Sequence, residues 1–158
     1  MTMVLLVVVH WLHVLAGTVW LGGQVFGSLV LTPALLSRPA AEARELVQGM
    51  GRWAGPVMGG SGMLVLLLGI VRGTVLGPVR SLDALFSTAY GLTFLAALLL
   101  TLFVMGYSGK ARGRMMERVW DGDAYRPGAA EYLRRSGTVT LAGLTAIVLC
   151  MVLMRFGL

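Results

Sequence analysis

Four stretches of this chain, about residues 3–31, 56–77, 84–107 and 136–154, are each apolar over the roughly 20 residues a helix needs to cross the hydrocarbon core of a bilayer. None carries an acidic residue inside its apolar run. Unpaired backbone groups are costly in hydrocarbon, so runs this long and continuous read as helices rather than barrel strands. The expectation is an all-α, integral membrane four-helix bundle, a single domain over 1–158. Hydrophobic residues make up 57% of the 158 and charged residues 13%. That is more apolar surface than a soluble domain of this size can bury, so lipid must cover the remainder. The first run has no basic segment ahead of it and continues far past a signal-peptide core into Pro33, so it is read as a mature helix.

The net charge of +6 comes from residues placed beside the apolar runs rather than along one recognition surface, which argues against nucleic acid as a partner. Arg38, Arg44 and Arg52 follow the first run; Lys110, Arg112, Arg114, Arg118, Arg126, Arg134 and Arg135 follow the third. Only Arg72, Arg80 and Arg155 lie on the other side. By the positive-inside rule, loops 32–55 and 108–135 are expected in the cytoplasm and both termini outside, in a bacterial inner membrane.

Between the first two runs, Ser37-Arg38-Pro39 precedes Glu42 and Glu45 and then Leu46, Val47, Met50 and Trp53. That order reads as a capped amphipathic helix over about 39–53, lying at the interface or extending the second span. The second run is rich in glycine: Gly55, Gly59 and Gly62 stand near its start, and Gly69, Gly73 and Gly77 recur every four residues near its end. Such spacing permits close helix contact, or makes room for a flat cofactor beside the backbone. After the third run, Gly109 to Arg114 and Asp121-Gly122-Asp123 form a polar loop with a short helix near Met115–Trp120, whose basic charge is expected to anchor lipid headgroups. The lone Cys150 allows no intramolecular disulfide and is read as a packing residue.

The chemistry-bearing signal is on the first helix. His10, His13, Gly17, Trp20, Gln24 and Gly27 follow one another at steps of three and four residues, which puts them on one face. Two imidazoles, an indole and an amide are expensive toward lipid, so this face should turn to the bundle interior or to a second copy. Neutral imidazole ligates copper, zinc and haem iron. Two histidines on one helical face cannot straddle a porphyrin, so a further ligand must come from elsewhere, with Met58, Met63, Met105, Tyr90 and Cys150 as candidates by type. Methionine sulfur also suits Cu(I), although methionine commonly serves as apolar filling. No nucleophile–base pair, intramembrane carboxylate pair, phosphate loop or CxxC motif is present, which leaves hydrolase, kinase and ATP-driven pump without residues.

The run from His10 through His13 and Trp20 to Gly22-Gly23, followed by Leu31-Thr-Pro33-Ala-Leu, resembles the first helix of the copper resistance protein D (CopD) family. Arg52, Gly69 and Thr88-Ala-Tyr90-Gly91 extend the resemblance over about the first 110 residues. It implies a four-helix unit linked to copper handling in the inner membrane. The spacing of His13, Trp20 and Gly23 is also similar to the HemJ-type protoporphyrinogen oxidase, which implies haem b on His13. That family has a lysine where this chain has His10 and another in the third span, where this chain has only Leu, Ala and Phe.

The expected function is therefore that of an inner-membrane metal- or haem-binding protein in copper handling. Its metal ligands are expected among His10, His13, Met58 and Met63, and Trp20, Gln24 and Tyr90 form the polar wall around copper or haem b. The alternatives are a haem b redox protein or, as the second resemblance implies, a HemJ-like protoporphyrinogen oxidase, in which case any enzymatic activity would be that of a haem-dependent oxidoreductase, and a cofactor-free membrane assembly protein. Expected partners are the lipid bilayer, a second copy of the chain and a periplasmic metal-delivery protein.

Overall fold

The computed structural model describes residues 2–158, and the chain is an all-α membrane bundle. Four helices are long and apolar enough to cross a bilayer, Met3–Leu36, Ala40–Gly73, Ala89–Gly113 and Ala129–Arg155. Large apolar side chains such as Trp11, Val14, Leu15, Phe103 and Leu149 are exposed on their outer faces, as lipid contact requires.

The first rod is α1 (Thr2–Phe26), a π-helical turn over Gly27–Leu31 and α2 (Thr32–Leu36). Pro33 explains the π turn, because a proline has no N–H to donate and its ring clashes with the carbonyl four residues earlier. The widened turn accommodates it without a break, and Thr32 donates both its N–H and its hydroxyl to the Gly27 carbonyl, the latter at 2.9 Å. After Ser37 the chain enters α3 (Ala40–Gly73), where Pro39 rather than Ser37 occupies the N-cap position. The Ser37 hydroxyl donates back to the Ala34 carbonyl instead. The segment expected as an interfacial helix over 39–53 is the first part of α3, which runs on unbroken through Pro56. At about 1.5 Å per residue this helix is roughly 50 Å long, well beyond the ~30 Å hydrocarbon core.

The third span begins later than its hydropathy suggests. Leu82–Ser87 form a separate short helix, α4, whose N-cap Ser81 accepts from the Ala84 N–H. Thr88 then caps α5 (Ala89–Gly113), its hydroxyl accepting from the Gly91 N–H at 3.0 Å and donating to the Ala84 carbonyl at 2.5 Å. Gly91 lacks a side chain where one would overlap the carbonyls of Ala84 and Leu85, so the α4–α5 corner can close this tightly only around a glycine.

α6 (Met115–Val119) leads into a small hairpin, β1 (Trp120–Asp121) and β2 (Ala124–Tyr125), turned by Gly122 at φ +60°. The hairpin docks on the α2–α3 corner. Trp120 Nε1 donates to the Ala40 carbonyl at 2.9 Å and Tyr125 Oη to the Leu35 carbonyl at 2.6 Å, over a buried cluster of Leu35, Ala43, Val119, Ala129 and Leu133. Tyr125→Phe removes one such bond and is expected to cost about 1 kcal/mol, read as faster amide exchange across residues 120–125. Burial also lifts the Tyr125 phenol above its ordinary value of 10.0. The unfolded phenol ionises first, so this contribution is complete below pH 10 and is lost as pH rises through the higher folded value.

α7 (Ala129–Arg155) completes the bundle. α1 packs chiefly on α3, and α5 on α7; Phe94 over Gly73 joins α3 to α5, and Ser28 against Gly137 joins the π turn to α7. Ala16, Trp20, Val65, Val104, Leu144 and Ile147 meet at the centre.

Candidate functional site: a histidine cavity between the helices

Between lipid-immersed helices there is no hydrophobic drive, so close contact depends on small residues facing large ones. The α1–α3 seam alternates them in antiparallel register. His13 lies over Gly69, Val65 over Gly17, Trp20 over Gly62 and Met58 over Gly23. The glycines of α3 and the polar stripe of α1 are thus two halves of one contact. A Cβ on Gly62 would lie 3.1 Å from Trp20 Nε1, and one on Gly69 would lie 3.1 Å from His13 Cε1. Gly69 therefore sets how closely the His13 imidazole approaches the α3 backbone.

Beyond this contact His13 borders a cavity of about 90 Å3, whose lining includes Arg72, Tyr90, Thr101, Met151 and Met154. The Nδ1 of His13 is buried and has no hydrogen-bond partner, and the same holds for Nε of Arg72. The Thr101 hydroxyl is occupied, donating to the Ala97 carbonyl at 2.8 Å. No carboxylate lines the cavity. Its chemical content is one imidazole, two thioethers, a phenol, a hydroxyl and a guanidinium.

Of the residues singled out in the sequence, the fold brings His13 and Tyr90 to this cavity. His10 is exposed and does not line it. A three-residue step at about 100° per residue turns His10 roughly 60° around the helix from His13, and α3 ends at this level. Met58 rests its sulfur on Gly23, about three turns and roughly 16 Å along α3 from Gly69. Met63 is 47% exposed. Trp20, 3% exposed, sits in the core seam; with Gln24, Met58 and Met105 it borders a separate cavity of about 60 Å3. Cys150 is half-buried and outside the His13 cavity.

Besides Thr101, three chemically distinctive residues of the cavity are not among the ligands or wall expected from the sequence. Met151 and Met154 stand three residues apart at the end of the last span, and Arg72 stands at the end of the second. Their common end of the bundle was the available signal. No protein-family model matches the chain, and no curated protein or solved structure shows significant similarity to it.

Proposed function

We propose that the protein handles copper in the membrane, binding Cu(I) through His13 with Met151 and Met154 as sulfur donors. One observation carries this reading: His13, whose buried Nδ1 has no hydrogen-bond partner, lines a cavity together with two methionines. A buried polar atom left unpaired costs roughly 1–3 kcal/mol, which ligation of an ion would offset. Imidazole with thioether is a soft, neutral donor set that suits Cu(I), whereas a hard divalent cation calls for anionic oxygen ligands, and no carboxylate lines this cavity. Among the described residues no three His, Cys, Asp or Glu side chains come together, and the sulfurs beside His13 are those of Met151 and Met154. Bound copper would supply reversible nitrogen and sulfur ligation. Arg72 sets a positive charge beside the cavity, which disfavours a divalent ion more than a monovalent one and loosens the hold on either. Loose binding suits transfer rather than storage.

Haem b is the competing occupant of His13. A cavity of about 90 Å3 is far below the roughly 300–1,000 Å3 of ligand sites and does not admit a porphyrin unless the helices part. Protein purified in detergent without chelators is expected to take up one Cu(I) per chain and to show no Soret band. A Soret band would put haem in place of copper. Uptake of neither would reduce the stripe to a packing seam, as in a cofactor-free assembly protein.

The same reading places the chain in a bacterial inner membrane, with the basic end in the cytoplasm and the His13 end outside, where a periplasmic delivery protein can reach it. Lys110 and a cysteine replacing Asp123 are both exposed and should be labelled by impermeant reagents only from the cytoplasmic side. Labelling from outside would reverse the orientation.

A further inference from the structure

A cavity walled by all four spans lies at the other end of the bundle from His13, where the basic segments gather. It holds about 330 Å3, within the roughly 300–1,000 Å3 of ligand sites. The π turn forms one side, and at Gly27 a side chain is missing where an added Cβ would meet nothing within 4 Å. The wall is divided by chemistry. Gln24, Ser108, Ser136 and Arg112 supply polar groups, and no Asp or Glu lines it. Arg112 makes no ion pair among the described residues. Phe26 and Met50 add apolar wall, and Phe26 is 51% exposed on the outer surface of the bundle.

An exposed guanidinium without an ion-pair partner, hydroxyl and amide groups, and an exposed apolar side chain in one wall together match an amphiphile with an anionic head. The surrounding end carries ten of the 13 Lys and Arg residues, and basic pockets between membrane helices recognise anionic headgroups. We propose that this cavity binds one anionic phospholipid, with its phosphate on Arg112 and the upper part of an acyl chain between Phe26 and Met50. The site is independent of whatever occupies the His13 cavity.

Phosphatidylglycerol and phosphatidylcholine of equal chain length, offered together to detergent-purified protein, test it by native mass spectrometry. One phosphatidylglycerol per chain should be retained about fivefold or more over phosphatidylcholine. Arg112→Gln should bring that ratio close to one, while Lys110→Gln, altering an exposed lysine outside the cavity wall, should leave it unchanged. Gly27→Leu, which fills the cavity, should reduce retention of both lipids. Equal retention of the two lipids by the native chain would overturn the proposal, as would equal losses in the Arg112 and Lys110 variants. Undiminished retention in a helical Gly27→Leu protein would place the lipid outside the cavity and overturn it too.

Discussion

Replacing His13 by alanine is expected to lower Cu(I) affinity by on the order of 100-fold or more, about 2.8 kcal/mol, while the bundle stays folded. Loss of an outer-shell partner typically costs 10–100-fold, and removing the only nitrogen donor of the cavity should exceed that range. His10→Ala is the decisive comparison. His10 is also a histidine within the first span, one turn away, but it is exposed and does not line the cavity. Its loss should change affinity by less than about threefold, roughly the 0.5 kcal/mol scatter of a surface substitution. Met151→Leu and Met154→Leu, which keep volume and remove sulfur, should each fall between these limits, and Met63→Leu should have no effect. Competition against a chromogenic Cu(I) chelator reads all five proteins. Equal losses from His10→Ala and His13→Ala would restore a site built on both histidines, and no loss from either would remove the copper reading altogether.

How much of this site can be read from the sequence follows from what helix periodicity encodes. Steps of three and four residues place His13, Gly17, Trp20 and Gln24 on one face of α1, and the fold does pack that face against α3. Periodicity says nothing about what the face meets. The facing residues depend on the relative rotation and sliding of two helices, which here set His13 over Gly69 rather than near Met58. Met151 and Met154 are further removed, since the last span is far along the chain and its register to α1 is fixed only by the assembled bundle. Charge misleads in a different way. Arg72 is naturally counted as a topological marker at the end of a span, yet its Nε is buried without a partner and the residue borders the His13 cavity.

The spans themselves are legible because hydrocarbon forces one solution on any run of about 20 apolar residues. Their ends are less so, since hydropathy ignores caps. Thr88 divides α4 from α5 within a stretch that reads as continuously apolar, and α3 starts 16 residues before its apolar run because Pro39 caps an amphipathic extension. The hairpin at Trp120–Tyr125 escapes a local reading altogether, as its two indole and phenol hydrogen bonds reach carbonyls about 80 and 90 residues earlier.

Glycines offer the sharpest test of the packing, because two that look alike in sequence should behave oppositely. Gly143 on α7 faces Val104, which is 0% exposed, and a Cβ at position 143 would overlap its Cγ2. Val104 cannot turn aside cheaply, since a β-branched side chain in a helix has one strongly preferred rotamer. Gly143→Leu must therefore part α5 from α7, the most extensively packed pair of spans, and is expected to destabilise the protein by about 3 kcal/mol, the upper end of ordinary overpacking. Gly60 on α3 is exposed, with nothing within 4 Å of an added Cβ. Gly60→Leu should be neutral or slightly stabilising, because leucine is a better helix former by up to about 1 kcal/mol and its side chain meets only lipid. Unfolding in mixed micelles with increasing SDS, followed by helical circular dichroism, ranks both against the native chain. Similar destabilisation by the two would mean that small residues are required along α3 as a whole. A neutral Gly143→Leu would mean that α5 and α7 are held apart from the contact seen between Val104 and Gly143, and the cavities that depend on that spacing would have to be redrawn with it.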